Sequence, residues 1–418
     1  MPFCAQASPG DAFGVDAFSV ARGMAVTAGA EPVSAAATNP ARLIDAKGIE
    51  AAAGLVVADD RLRINGSDAG LETYLGWRLG IAAALPLGKY DDRLFAGVSL
   101  HLPNRGLFDV ENTAVDAPVL IRTGSNARRM SVDVALAGRV WDRISVAAGL
   151  YLMPDVIADV SIDFTENRSQ SRSSVHVDYK LSPIVGVYAE PVAGLGLGLV
   201  WRGAAQLSLD VPAMIRVSES VGNIRAKLRG YAYSEPHDIR LGIRYDFSHL
   251  VTADLCRFQV ELDAAYRHYT SPIATHAEVS LYDDAGNEMD ASVRTYQSFE
   301  DSWEIRTALI WNPMDGFSVS AGYAFEKTPI PAQRGVFNVL DGDRHVVSFG
   351  GTFWFSPTNA PDMGVATSAQ FGIYMPRTME KYVYAPDNAG FPRISFGGFD
   401  VAWHIAYMIR FADDRHGR

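Results

Sequence analysis

The final stretch of the chain limits its fold most strongly: Phe399, Val401, Trp403, Ile405, Tyr407, Ile409 and Phe411 alternate with smaller or more polar neighbours. A sustained period of two is a strand with one apolar face. The pattern recurs at Ile239, Leu241, Ile243, Tyr245 and Phe247, at Phe258, Val260, Leu262, Ala264 and Tyr266, and at Trp303, Ile305, Thr307, Leu309 and Trp311. Charge sits on the other parity, with Asp238, Arg240, Arg244 and Asp246 in one segment and Glu261, Asp263 and Arg267 in the next. An apolar exterior over a polar interior is the pattern of a transmembrane β-barrel. A soluble β-sandwich with a charged outer face is the competing arrangement. Aromatic residues at strand ends, and the aromatic close of the last strand, favour the barrel.

With 418 residues and 48% apolar content, the chain could fill a large core, yet no run approaches the roughly 18 apolar residues of a spanning helix. Leu195 to Trp201 is among the most apolar stretches, and Gly196, Gly198 and then Arg202 interrupt and end it. A net charge of −11 without a basic stripe argues against a nucleic-acid partner. The only cysteines, Cys4 and Cys256, supply neither a disulfide framework nor a metal cluster, so no metal or other cofactor is expected. Ala5-Gln6-Ala7 has the small-x-small form of a secretory cleavage site, which makes residues 1–7 the remnant of a signal peptide. No charged or long apolar stretch precedes it, and an unrelated Ala-rich start is the other reading.

Residues 8–48 are rich in Ala, Gly and Ser without a strand period, and read as a compact segment with short helical turns. Fourteen antiparallel strands are expected within 49–411, followed by a periplasmic tail at 412–418. Short connections such as Trp141-Asp142 and Pro191 to Gly194 alternate with longer ones, the longest at 104–128, 271–301 and 377–398. Short periplasmic turns and long outer loops are the outer-membrane pattern, and an even strand number leaves both termini in the periplasm.

Three places resemble the FadL (OMPP1/FadL/TodX) family of outer-membrane transporters for long-chain fatty acids and aromatic hydrocarbons. Ala21-Arg22-Gly23-Met24-Ala25, followed by Asn39-Pro40-Ala41, is similar to the family's plug signature. Asn104-Arg105-Gly106, after Pro103, is similar to the Asn-x-Gly where the third strand kinks. Thr328-Pro329-Ile330-Pro331-Ala332-Gln333 leading to Asp341-Gly342-Asp343-Arg344 looks like a family loop and strand entry. The resemblance implies a barrel plugged inside its lumen by residues 8–48, with Arg22, Gly23, Asn39, Pro40 and Ala41 in the plug. It also implies a lateral opening at Pro103, Asn104 and Gly106. Two departures stand out: Arg42 replaces the usual glycine, and the outer connections 163–174 and 211–224 are expected to be short where the family's form a capture groove.

Three function classes follow. The first is passive uptake of hydrophobic small molecules or lipids across a bacterial outer membrane, with lateral release at the kinked third strand. Its partners would be the ligand, outer-membrane lipids and lipopolysaccharide, and the barrel assembly machinery during biogenesis. The second is a structural or docking barrel in a surface or secretion machine, with a protein partner. The third is an outer-membrane hydrolase, but neither Gly-x-Ser-x-Gly nor His-Glu-x-x-His occurs, and His237, His268, His345 and His404 read as ordinary hydrogen-bonded residues. No catalytic residue is expected, and the ligand-binding residues are not legible at this stage.

Overall fold

Alternation dictates a sheet whose two faces meet different surroundings, and the computed structural model shows that sheet closed on itself. It describes residues 12–87, 92–104, 117–123, 129–165, 168–218, 222–249, 257–269, 277–283, 285–289, 293–295, 299–335, 338–358, 360–382, 388 and 390–411. The wall strands are β1 (Ile49–Ile64), β2 (Tyr74–Ala84), β3 (Leu94–Pro103), β4 (Ser131–Trp141), β5 (Ile144–Thr165), β6 (Arg168–Val192) and β7 (Leu195–Arg202). They continue as β8 (His237–Asp246), β9 (Phe258–His268), β10 (Ser302–Met314), β11 (Phe317–Glu326), β12 (Arg344–Phe355), β13 (Asp362–Glu380) and β14 (Arg393–Phe411). Each pairs antiparallel with its sequence neighbours, and β1 pairs with β14 from Ile49↔Phe411 to Ile64↔Phe396. Fourteen antiparallel strands in a closed barrel agree with the sequence reading.

Parity sorts the side chains as the alternation requires. Trp77, Leu136, Leu241, Phe349 and Trp403 point outward, each at least half exposed, while Arg78, Ala135, Arg240, Ser348 and His404 next to them are buried inside. A continuous apolar belt of this kind on a soluble protein would be an aggregation surface; around a barrel it is the lipid contact. Aromatics mark both edges of the belt. At the periplasmic end Phe258 stacks on Trp311 and Phe353 on Phe355, with ring centroids 6.0 and 6.1 Å apart. At the outer end Tyr266 and Trp303 are direct cross-strand partners.

The outer connections differ from expectation. Residues 163–174 and 211–224 are not short irregular loops: β5 runs to Thr165 and β6 starts at Arg168, while the chain after β7 continues as strands Ala205–Ser218 and Gly222–Glu235. These hairpins rise beyond the wall and join, since Ala213 to Arg216 pairs in parallel with Val160 to Asp163 and Arg225 to Gly230 pairs with the strand Ala277–Tyr282. A strand end cannot be read from composition where Ser, Arg and Asn still complete a ladder. The connection expected at 377–398 is shorter as well, because β13 extends to Glu380 and β14 begins at Arg393. Cys4, Gly106, Cys256 and the tail 412–418 lie outside the described residues.

The β1–β14 seam closes the barrel, and Tyr407 and Phe411 face outward at its periplasmic end. Tyr407→Asp combined with Phe411→Asp should abolish the heat-modifiable folded band in outer-membrane extracts. Removing residues 412–418 should leave it intact.

Candidate functional site

The interior is occupied by the N-terminal segment. Helix α1 (Ala17–Ala21), capped by the Asp16 carboxylate, and helix α2 (Pro32–Ala35), with proline in its first turn, are followed by a 3₁₀ turn, Pro40–Asp45. Their small, largely apolar residues are nearly all buried: Ala28, Ala35, Ala41 and Leu43 are at 0% exposure. Each is too short to be stable alone and depends on the wall for its packing.

Two inward carboxylates of β9 hold the middle of the segment. Asp263 accepts hydrogen bonds from the Val26 and Thr27 amides, both 2.8 Å, and from the Thr27 hydroxyl, 2.7 Å; Glu261 accepts one from the Ala28 amide at 2.9 Å. Charge-assisted bonds of this kind are worth about 1.5–3 kcal/mol each. Wall side chains take the segment's carbonyls: Arg344 and Gln370 donate to Ala12, Arg202 to Ala37, Ser145 to Ala41 and Arg139 to Ile44. A buried irregular chain must have its polar groups met in this way.

The residues singled out in the sequence fall within this contact. Arg22 donates to Gly29 O and pairs with Glu31 at 2.7 Å, bracing the loop between them. Gly23, at φ 59°, lies against Gly322 of β11 with backbone on backbone, so a Cβ at either position would run into the other chain. Asn39 donates to Thr27 O at 2.6 Å and to Val187 O at 3.3 Å, and its own carbonyl oxygen accepts from the Ala41 amide at 3.1 Å. Pro40 opens the 3₁₀ turn and Ala41 is sealed beneath it. Arg42 pairs with Asp45 and lies 4.0 Å over the Tyr188 ring, which gives that departure from the family pattern a local role. The inward Gly198 leaves room for the Thr27 carbonyl, as its parity suggests.

The third-strand residues are placed differently. Pro103 pairs with Gly76 and the Asn104 amide donates to Leu75 O at 3.0 Å, so the β2 side of that strand is joined as far as Asn104. On the β4 side the ladder runs from Leu94↔Gly138 to His101↔Ser131.

At the outer end a buried ion-pair network fastens two connections and the segment's start. Arg122 bonds Glu326 at 2.7 Å and Asp341 at 3.1 Å, while Arg344 bonds Asp400 at 2.7 Å and shares Glu326 at 3.2 Å. Burial by itself would lower the Arg122 guanidinium, but Asp341 and Glu326 outweigh it and the net direction is upward. Leu62, Leu120, Leu340, Tyr374, Ile394 and Phe396 pack beside this network. Three of the four histidines take the ordinary roles expected: His237 accepts from the Ala204 amide, His268 contacts Asp301 and His345 contacts the Tyr323 hydroxyl, while His404 meets the Phe13 backbone but has a buried Nε2 without a partner.

Between the N-terminal segment and β1 to β5, β7, β8 and β14 lies a cavity of about 60 Å³. Phe18, Met24, Val33 and Ala37 of the segment form one side, and Arg78, Ser99, His101, Asp133 and His404 the other. Sequence reasoning had singled out His404 but missed Arg78, Ser99, His101 and Asp133, whose only shared signal was polar residues on the inward parity.

Fold and interior together define an outer-membrane β-barrel with a segment of its own chain folded into the lumen. No protein-family model matches the sequence. Its structure is similar to that of a Pseudomonas aeruginosa FadL homologue, with TM-score 0.64 and 14% identity, covering 95% of this chain and 98% of the other. It is also similar to the Pseudomonas putida toluene transporter TodX, with TM-score 0.58, 13% identity and coverage of 95% and 98%. The chain is 24% identical over 99 residues to the long-chain fatty acid transport protein of Escherichia coli K12, a match spanning 24% of this chain and 22% of the relative. The barrel therefore has the fold of the FadL-type proteins that the sequence motifs resemble.

Asp263→Ala leaves three donors of the segment without their acceptor. In a cysteine-free background carrying Met24→Cys, thiol labelling in the folded barrel should speed up at least about tenfold, the factor that 1.4 kcal/mol produces. Unchanged labelling would show that the wall holds the segment without this carboxylate.

Proposed function

We propose that the protein is a passive outer-membrane channel for hydrophobic small molecules, with residues 8–48 acting as its plug. One observation carries the reading: the barrel interior is filled by a segment of short helices whose polar groups bond to the wall, beside a cavity with apolar residues on the segment's side. Hydrophobic solutes cross a lipopolysaccharide leaflet poorly, so an interior route that ends in lipid has a use that a water-filled pore lacks. The fatty-acid and toluene transporters it resembles agree with that ligand class. Arg22, Gly23, Asn39, Pro40 and Ala41 keep the plug compact, so it shifts as a body.

Ligand exit is proposed at the third strand, beside Pro103, Asn104 and Gly106, toward β4. Leu102 and Met130 are the next opposed positions past the last ladder pair, His101↔Ser131. Proline removes a ladder donor there, and an exit at that level opens into lipid.

A second reading, a docking barrel for a surface or secretion partner, is favoured by the charge inside. Arg267 pairs with Glu304 at 2.7 Å, Arg240 pairs with Asp238 and Arg306 pairs with Glu304, which fills part of the lumen with ions instead of an apolar path.

Two measurements separate these readings. Deleting residues 12–46 should raise single-channel conductance in planar bilayers, and a folded deletion that stays closed removes the plug. A Leu102→Cys/Met130→Cys disulfide should cut uptake of a hydrophobic fluorescent probe severalfold at equal barrel abundance, with recovery on reduction. Wild-type uptake in the oxidised form removes the lateral exit, and the absence of uptake in the wild type leaves the docking reading.

A further inference from the structure

The outward face of the barrel changes character at the outer end of the β1–β14 seam. A strand crosses the hydrocarbon in about 9–11 residues. Counted from Tyr407 at the periplasmic edge, that span of β14 ends between Phe399 and Gly397. Phe399 pairs with Arg61 of β1 and with Ile373 of β13, and its ring lies 5.3 Å from that of Phe371. The apolar belt therefore closes on two aromatic rings. The next outward position of β1 is Arg63, exposed like Arg61.

Just above those rings the wall is recessed, and an open hollow of about 830 Å³ lies over the outer ends of β1, β13 and β14. Its floor carries little side chain. Gly397 and Gly398 are consecutive on β14, and the β13 register shifts between Tyr374 and Arg377, which brings Pro376 to 3.3 Å from where a Cβ of Gly397 would stand. Arg63 is the ladder partner of Gly397 on one side, and Arg377 is that of Phe396 on the other. Two arginines thus flank a bare stretch of β14, with Phe399 and Val401 bordering the hollow toward lipid.

The charges around the hollow are loosely held. Arg61 pairs with Asp59 at 2.7 Å, but both side chains are exposed, and pairs of that kind are weak. Asp68 stands across from Arg63 and accepts from the Gly70 amide at 2.8 Å, and Arg63 forms no ion pair among the described residues. Arg377 donates to the Ile330 carbonyl at 2.6 Å, a neutral acceptor. Three arginines against Asp59 and Asp68 leave the lining positive by one charge, and the adjacent Glu380 and Arg393 oppose each other across the ladder. Guanidinium forks suit the oxygens of a phosphate, and the aromatic surface directly below suits acyl chains on the same molecule.

We propose that this hollow is a lipopolysaccharide site on the outside of the barrel. Arg61, Arg63 and Arg377 hold a phosphate of the acylated glucosamine head, and the acyl chains descend the lipid face over Phe371, Phe399 and Val401. The level of the site, at the outer boundary of the belt, is where the phosphates of that leaflet lie. The lumen and the N-terminal segment take no part, so the inference stands apart from the channel reading.

The test measures binding to the purified, delipidated full-length barrel in detergent, with heat-modifiability reporting the fold. The probes are lipid A with both phosphates, the same lipid A dephosphorylated, phosphatidylglycerol and inorganic phosphate. Wild type should bind phosphorylated lipid A at least about tenfold more tightly than the dephosphorylated form. Arg63→Gln with Arg377→Gln should abolish that preference, and the corresponding lysine pair should keep part of it. Arg63→Gln alone, at an exposed position, should lower it severalfold, while Arg143→Gln at the periplasmic turn should leave it unchanged. Equal binding of the two lipid A forms, an undiminished preference in the folded double variant, or the same loss in Arg143→Gln overturns the site. Phosphatidylglycerol binding as tightly as lipid A, or inorganic phosphate displacing lipid A at equal concentration, overturns its assignment to lipopolysaccharide.

Discussion

Everything in this protein depends on satisfying backbone hydrogen bonds where no water is present. A strand facing hydrocarbon can leave neither amides nor carbonyls unpaired, so the sheet has to close. The seam from Ile49↔Phe411 to Ile64↔Phe396 brings the first and last strands together across almost the whole chain. Closure fixes which parity faces lipid, and with that the position of every charge inside.

Closure also creates an interior that must be filled. An aqueous lumen would tolerate loose charges, but here Glu261 is fully buried, Asp263 nearly so, and their oxygens hold the amides of residues 26–28. The helices and the 3₁₀ turn of the segment are too short to persist without that support. The wall serves in effect as the segment's solvent, providing acceptors at β9 and donors at Arg202, Arg139 and Arg344.

The polar lining of the interior is largely paired within itself. Arg78, on the inward face of β2, is met by the Gly14 carbonyl and lies near Tyr74 and Asp16. The outer network of Arg122, Glu326, Asp341, Arg344 and Asp400 connects this interior to the outer connections, because Arg344 bonds both Asp400 and Ala12 O. One side chain, Arg344, thus joins the mouth of the barrel to the first described residues of the segment.

The period-two alternation determined by itself that the chain forms strands and which parity of each is apolar, because these are local properties of consecutive residues; the aromatic strand ends and the alternation of short and long connections pointed to fourteen strands in a membrane barrel, and the β1–β14 pairing closes it. Arg22, Gly23 and Asn39-Pro40-Ala41 stood out through their resemblance to the family's plug signature, and Pro40 also fixes a turn wherever it stands. The continuation of β5 to β8 into outer hairpins was not legible, since polar strand residues near a turn look like loop. Which side chains meet was decided only by tertiary structure: Val26 and Asp263 are 237 positions apart, Arg78 and His404 lie on strands from opposite ends of the chain, and neither pairing leaves a periodic trace. Sequence specifies the face of each strand, whereas the order and register of strands around the barrel specify the neighbours across the lumen.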